Sequence, residues 1–130
     1  KCDVGIDLHT GAIHRSNLPQ VRADLDDEEV LAMAKAFGVP VLLNADIRDG
    51  SLRATASEAG IKILLYEAGQ ALRYDEFSIR AGVKGIINTM RHLGMLNKSR
   101  AKGVPITPFI ARASGWVRAP ESGFVNHLLS

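Results

Sequence analysis

Apolar and polar residues alternate over residues 2–8. Val4, Ile6 and Leu8 fall on one side, and Asp3, Asp7 and then His9 on the other. A two-residue period predicts a strand. Residues 9–24 show no clean period, and Gly11, Asn17 and Pro19 mark them as a long loop. Asp26 or Asp27 then offers a helix cap, followed by acids in the first turn. Val30, Leu31, Met33, Ala34 and Phe37 repeat at helical spacing, and Gly38 ends the run. Residues 39–43 are a continuous apolar run, the pattern of a strand buried on both faces, and 61–66, interrupted by Lys62, read as a second buried strand. Between them lie a polar loop at 44–50 and a short helix at 51–59. After a loop at 68–75, a long helical stripe runs through Phe77, Ile79, Val83, Ile86, Ile87, Met90, Leu93 and Leu96. Gly82 and Gly85 soften that stripe, and its Met and Leu positions are expected in the core.

Strands alternating with helices at this spacing predict an α/β fold, a mostly parallel sheet with flanking helices. The texture changes after about Lys102. Pro105, Pro108 and Pro120 punctuate short runs at 109–113, 116–118 and 124–129, with turn signals at Ser114-Gly115 and Glu121-Ser122-Gly123. We expect two units: a partial α/β catalytic domain over 1–103 and the start of a small β domain over 104–130. The chain opens on a strand without an initiator Met and stops in an apolar run. It therefore reads as a piece of something longer.

Composition narrows the function classes. The chain has 130 residues, 46% hydrophobic and 23% charged, with a net charge of +2. That balance is globular, and without a dense basic block it argues against a nucleic-acid partner. No apolar stretch is long enough for a membrane span, and no signal peptide is visible. The single cysteine, Cys2, excludes a disulfide framework and a cysteine-only zinc site. It fits a cytoplasmic, reducing location. Glycine-rich phosphate loops and the Gly-x-Ser-x-Gly elbow are both missing.

Ligands of open parallel sheets bind beyond the carboxyl ends of the strands. Three such ends carry polar groups: Asp7-Leu8-His9, Asn44-Ala45-Asp46 and Tyr66-Glu67-Ala68-Gly69. His9 reads either as a metal ligand oriented by Asp7 or as a histidine satisfied by loop backbone. Glu67 reads as a general base at the rim of an apolar run or as a solvated carboxylate. Arg15, Asn17 and Arg22 could fix a substrate carboxylate, or could simply belong to a solvated loop.

Four stretches in order carry a family resemblance: Asp7-Leu8-His9-Thr10-Gly11, His14-Arg15-Ser16-Asn17-Leu18-Pro19-Gln20-Val21-Arg22, Ser51-Leu52-Arg53 and Tyr66-Glu67-Ala68-Gly69. Together they resemble the succinylglutamate desuccinylase/aspartoacylase family, relatives of the zinc carboxypeptidases. The resemblance implies a carboxypeptidase-like α/β fold and zinc-dependent removal of the acyl group from a small N-acyl amino acid. It implies His9 as a zinc ligand, Asp7 as the group orienting it, and Glu67 as the base that activates water. Arg53 matches an arginine that holds the substrate's carboxylate, while Arg15 and Asn17 are candidate substrate contacts from their side-chain chemistry. The family's His-x-x-Glu zinc pair occurs nowhere in these residues. The chain is thus expected to be a central fragment, inactive by itself, with exposed edges through which it self-associates. The competing expectation is a truncated, non-catalytic relative that binds a small acid or serves in assembly.

Overall fold

The computed structural model describes residues 2–44, 51–97 and 106–123. The elements are β1 (Val4–Gly11), β2 (Asn17–Ala23), α1 (Glu28–Phe37), β3 (Val41–Asn44), α2 (Leu52–Glu58), β4 (Lys62–Gln70), α3 (Glu76–His92) and β5 (Phe109–Ala111). The strands form one five-stranded sheet in the order β1-β4-β2-β3-β5. The pairs β1–β4, β2–β3 and β3–β5 are parallel, and β2–β4 is antiparallel. This is the expected α/β architecture, mostly parallel with flanking helices.

The antiparallel strand is the main departure. Residues 9–24, expected as a loop, hold the end of β1, a turn and all of β2. Pro19 masks the strand, because proline gives no N–H to a ladder and interior strands avoid it. The sheet accommodates it by a break in the β2–β4 register between Asn17 and Gln20. From Pro19 onward the strand alternates cleanly. Pro19, Val21 and Ala23 are buried, and Gln20 and Arg22 are not.

Local signals fix the helices. The Asp27 carboxylate caps α1 by accepting from the N–H groups of Glu29 and Val30. Ser51 Oγ caps α2 through Ala54 N–H. Asp75 caps α3 and also accepts from Ser78 Oγ at 2.5 Å. The core lies between the sheet and the helices, where Val21, Ala23, Leu42, Leu64, Tyr66 and Ala68 meet Met33, Ala34 and Phe37 of α1. Phe37 and Tyr66 stack with ring centroids 5.2 Å apart.

The orientation of α3 overturns one expectation. Its inner face is Ser78, Gly82, Gly85 and Thr89, all buried, whereas Phe77, Ile79 and Val83 are exposed. Small residues win that face because the helix lies so close to the two core rings. A Cβ on Gly85 would come within 2.0 Å of the Phe37 ring, and one on Gly82 within 2.9 Å of Tyr66. Phe77, Ile79 and Val83 turn outward, and Ile86 packs against the core from the flank. The helix also stops at His92, and Leu93 and Leu96, expected in the core, are exposed beyond its end.

Of the stretch assigned to a second unit, Phe109–Ala111 lies at the edge of this same sheet, beside β3. Residues 116–118, expected as a strand, form none, and Trp116 and Val117 are exposed. The expected run at 124–129 and most of the polar loop at 44–50 lie outside the described residues. Among the described residues, no helix is long and apolar enough to cross a membrane.

Candidate active site

The polar groups gather on the sheet face opposite α1 and α3. Paired residues of neighbouring strands point to the same side. Glu67 on β4 is paired with His9 on β1 and with Gln20 on β2. Leu65, two residues back, is paired with Asp7 and Arg22. Asp7, His9, Gln20, Arg22 and Glu67 therefore share one face across three adjacent strands. Strands lie about 4.8 Å apart, so these groups are immediate neighbours.

His9 Nε2 lies 3.0 Å from Asp7 Oδ2, within β1 itself. The His9 side chain is half exposed and that of Asp7 largely covered. Donation from Nε2–H to this carboxylate leaves the lone pair on Nδ1 and fixes the ring's direction. One histidine so oriented suits a single metal ligand. Among the described residues, no three His, Cys, Asp or Glu side chains come together to hold a metal. The zinc implied by the resemblance finds one fitting donor here and not a complete site.

Glu67 is held at both oxygens. Asn17 Nδ2 donates to Oε1 at 2.6 Å, and Arg22 Nε lies 3.0 Å from Oε2. The first is a well-formed hydrogen bond across 50 residues of sequence. The second is an ion pair by distance, but the buried Nε–H is not aligned into a hydrogen bond. A carboxylate has about four acceptor positions, so lone pairs remain for a proton. β4 runs on past Glu67 to Gln70, which is paired with Gly11 at the end of β1. A Cβ there would come within 2.2 Å of Arg15 O and 2.8 Å of Gly69 O. Only glycine allows the end of β1, the β1–β2 turn and the end of β4 to converge.

The structure therefore brings Asp7 to His9 and Asn17 to Glu67. Asn17 contacts the carboxylate itself. Arg15 places its guanidinium over the Trp116 ring, 5.7 Å from the centroid, which ties the β1–β2 turn to the segment after β5. Arg53 is buried on α2 and lines a cleft with Asp24, Asp27, Ser57 and Lys62. That cleft reaches the opening residues of β4, away from Glu67. Sequence reasoning did not find the pairing of Gln20, nor the contact of Arg22, with Glu67. Their alternation with the buried Val21 and Ala23 was the available signal.

Comparison with known proteins decides the family. Residues 1–93 match the succinylglutamate desuccinylase/aspartoacylase catalytic domain. The chain belongs to that family. A solved succinylglutamate desuccinylase/aspartoacylase from Rhodobacter sphaeroides is 28% identical, with a TM-score of 0.62 over 71% of this chain and 28% of its own. A succinylglutamate desuccinylase from a Silicibacter species is 26% identical, with a TM-score of 0.66 over 82% of this chain and 33% of its own. The apo ectoine utilization protein EutE from Ruegeria pomeroyi shares the fold at 21% identity and a TM-score of 0.69, over 85% of this chain and 35% of its own. The chain thus spans about a third of the length of these structures. No curated protein sequence matches it.

Proposed function

We propose that this family member carries the central part of a zinc-dependent hydrolase that removes the acyl group from small N-acyl amino acids. The observation that supports this reading is the placement of Glu67. It sits on the strand beside His9, held at both oxygens but with acceptor positions to spare. In this reading Glu67 takes a proton from the attacking water and returns it to the departing amine. Asn17 keeps the carboxylate pointed at the reacting centre. His9, oriented by Asp7, supplies one ligand to zinc, and the others come from outside the described residues. Zinc, when bound, would polarise the acyl carbonyl. Arg15 is assigned to a carboxylate of the substrate and the location to the cytoplasm, whereas Arg53 lines the cleft away from Glu67. The 130 residues alone should show little or no turnover and should self-associate through the open edge of β1.

The test is amine release from N-succinyl and N-acetyl amino acids by the protein expressed from its natural reading frame. We expect turnover that Glu67→Gln lowers by about 10²–10⁴-fold, the usual contribution of a positioned acid–base group. Turnover that survives Glu67→Gln would exclude this role for Glu67. A reading frame that encodes no His-x-x-Glu would instead favour the small-acid-binding or assembly module.

A further inference from the structure

Arg22 is the unusual group in this site. Its side chain projects from β2 toward Glu67 and is about one-third exposed, at 35%. Its Nε is buried and lies 3.0 Å from Oε2, yet it makes no aligned hydrogen bond. A guanidinium meets a carboxylate best through two parallel N–H bonds. Here the contact is at one point and badly aimed. Asn17, by contrast, makes a well-formed bond of 2.6 Å to the other oxygen. Glu67 is therefore well held by Asn17 and only loosely held by Arg22.

Two other candidate arginines have contacts of their own. Arg15 stacks on Trp116, and Arg53 is buried in the cleft beside α2. Among the described residues, Arg22 is the arginine paired with Glu67. Its side chain, about one-third exposed, can be reached by a second carboxylate from the solvent side.

We propose that Arg22 is a shared cation. It pairs with Glu67 in the ligand-free protein and passes to a carboxylate of the substrate on binding. The site would then select anionic acyl or amino acid groups, and Oε2 of Glu67 would be released only when such a group is in place. This rests on the deacylase reading for its consequence, but its own chemistry is carboxylate binding. No bond is made or broken in the exchange.

The test uses the ¹⁵N-labelled protein expressed from its natural reading frame and succinate as probe, with succinamide as the neutral control. Succinate should shift the Arg22 Nε–Hε resonance saturably, and succinamide should not. Arg22→Lys loses the fork and should weaken succinate binding about tenfold or more. Glu67→Gln removes the competing carboxylate and should tighten it about two- to fivefold. The inference is overturned if succinate leaves Arg22 Nε–Hε unmoved in the wild-type chain, a result that depends on no variant folding. It is equally overturned if Glu67→Gln leaves the affinity unchanged. Because the readout needs no turnover, it separates from the deacylase reading. Succinate binding at Arg22 without any hydrolase activity would sink only that reading. An active, Glu67-dependent enzyme whose Arg22 ignores succinate would sink only this inference.

Discussion

The two faces of the sheet are made by the same strands, yet they share almost nothing. On the helix side, Val21, Leu42 and Leu64 have no exposure, and Tyr66 only 5%. On the other side, Asp7, His9, Gln20, Arg22 and Glu67 form a connected polar surface. The two sets interleave one residue at a time, as in Tyr66-Glu67-Ala68. Tyr66 turns inward, and its hydroxyl donates to Ser78 O at 2.7 Å. Glu67 turns outward to Asn17 and Arg22. A slip of one residue in β4 would bury a carboxylate and expose a tyrosine. Burial on one face therefore fixes the chemistry on the other.

If that division is sound, the largest stability effects belong to the helix side and leave the polar face in place. Phe37→Ala removes a fully buried ring that packs on Tyr66 and meets α3. We expect it to cost about 3–5 kcal/mol in urea denaturation. The Asn17 side-chain amide resonance, which reports the bond to Glu67, should stay put in the fraction that remains folded. A shift as large as the one Glu67→Gln produces would break the division.

Gly85→Ala sharpens the same point. In a helix interior, alanine is favoured over glycine by about 1 kcal/mol. Here the new methyl group would lie 2.0 Å from the Phe37 ring. Overpacking should win, for a net loss of about 1–3 kcal/mol. Phe37→Leu in the same chain gives the methyl room, so the double variant should lose less than the sum of the two single changes. Strict additivity would show that Gly85 is not set by the ring.

These contrasts also explain what could be read in advance. β1, α1, β3, α2 and β4 were legible because each carries its own period or cap. The pairing of Asp7 with His9 needed only the two-residue step along one strand. The fold class followed from the alternation. What could not be read was non-local or masked. Pro19 hid β2, and with it the two contacts at Glu67 made from that strand. Asn17 was singled out for its chemistry, but its partner lies 50 residues away across an antiparallel pair. The stripe on α3 misled because apolar residues normally face the core. At Gly82 and Gly85, closeness to Tyr66 and Phe37 admits only small residues.

The smallest effect expected is an acid sensitivity that belongs to the covered side. The Ser78 hydroxyl, assisted by the N–H groups of Ser78 and Phe77 and opposed by partial desolvation, holds the Asp75 carboxyl below its ordinary value of 3.8. A lowered folded-state value means the unfolded chain takes up a proton first as pH falls. The stabilisation is therefore complete above pH 3.8 and fades as pH drops through the lower folded value. Asp75→Asn should flatten that part of the acid-unfolding profile. Asp26, lowered by Asn44 and then Arg112, contributes a separate slope in the same direction. Asp26→Asn should remove that slope and leave the Asp75 one. Asp75 caps the helix whose Ser78 carbonyl receives the Tyr66 hydroxyl, so its titration loosens the covered face first. Near-ultraviolet circular dichroism of Tyr66 should accordingly change at higher pH than the Asn17 amide resonance. If the two change together in Asp26→Asn, the faces unfold as one unit, and their separation is a matter of chemistry alone.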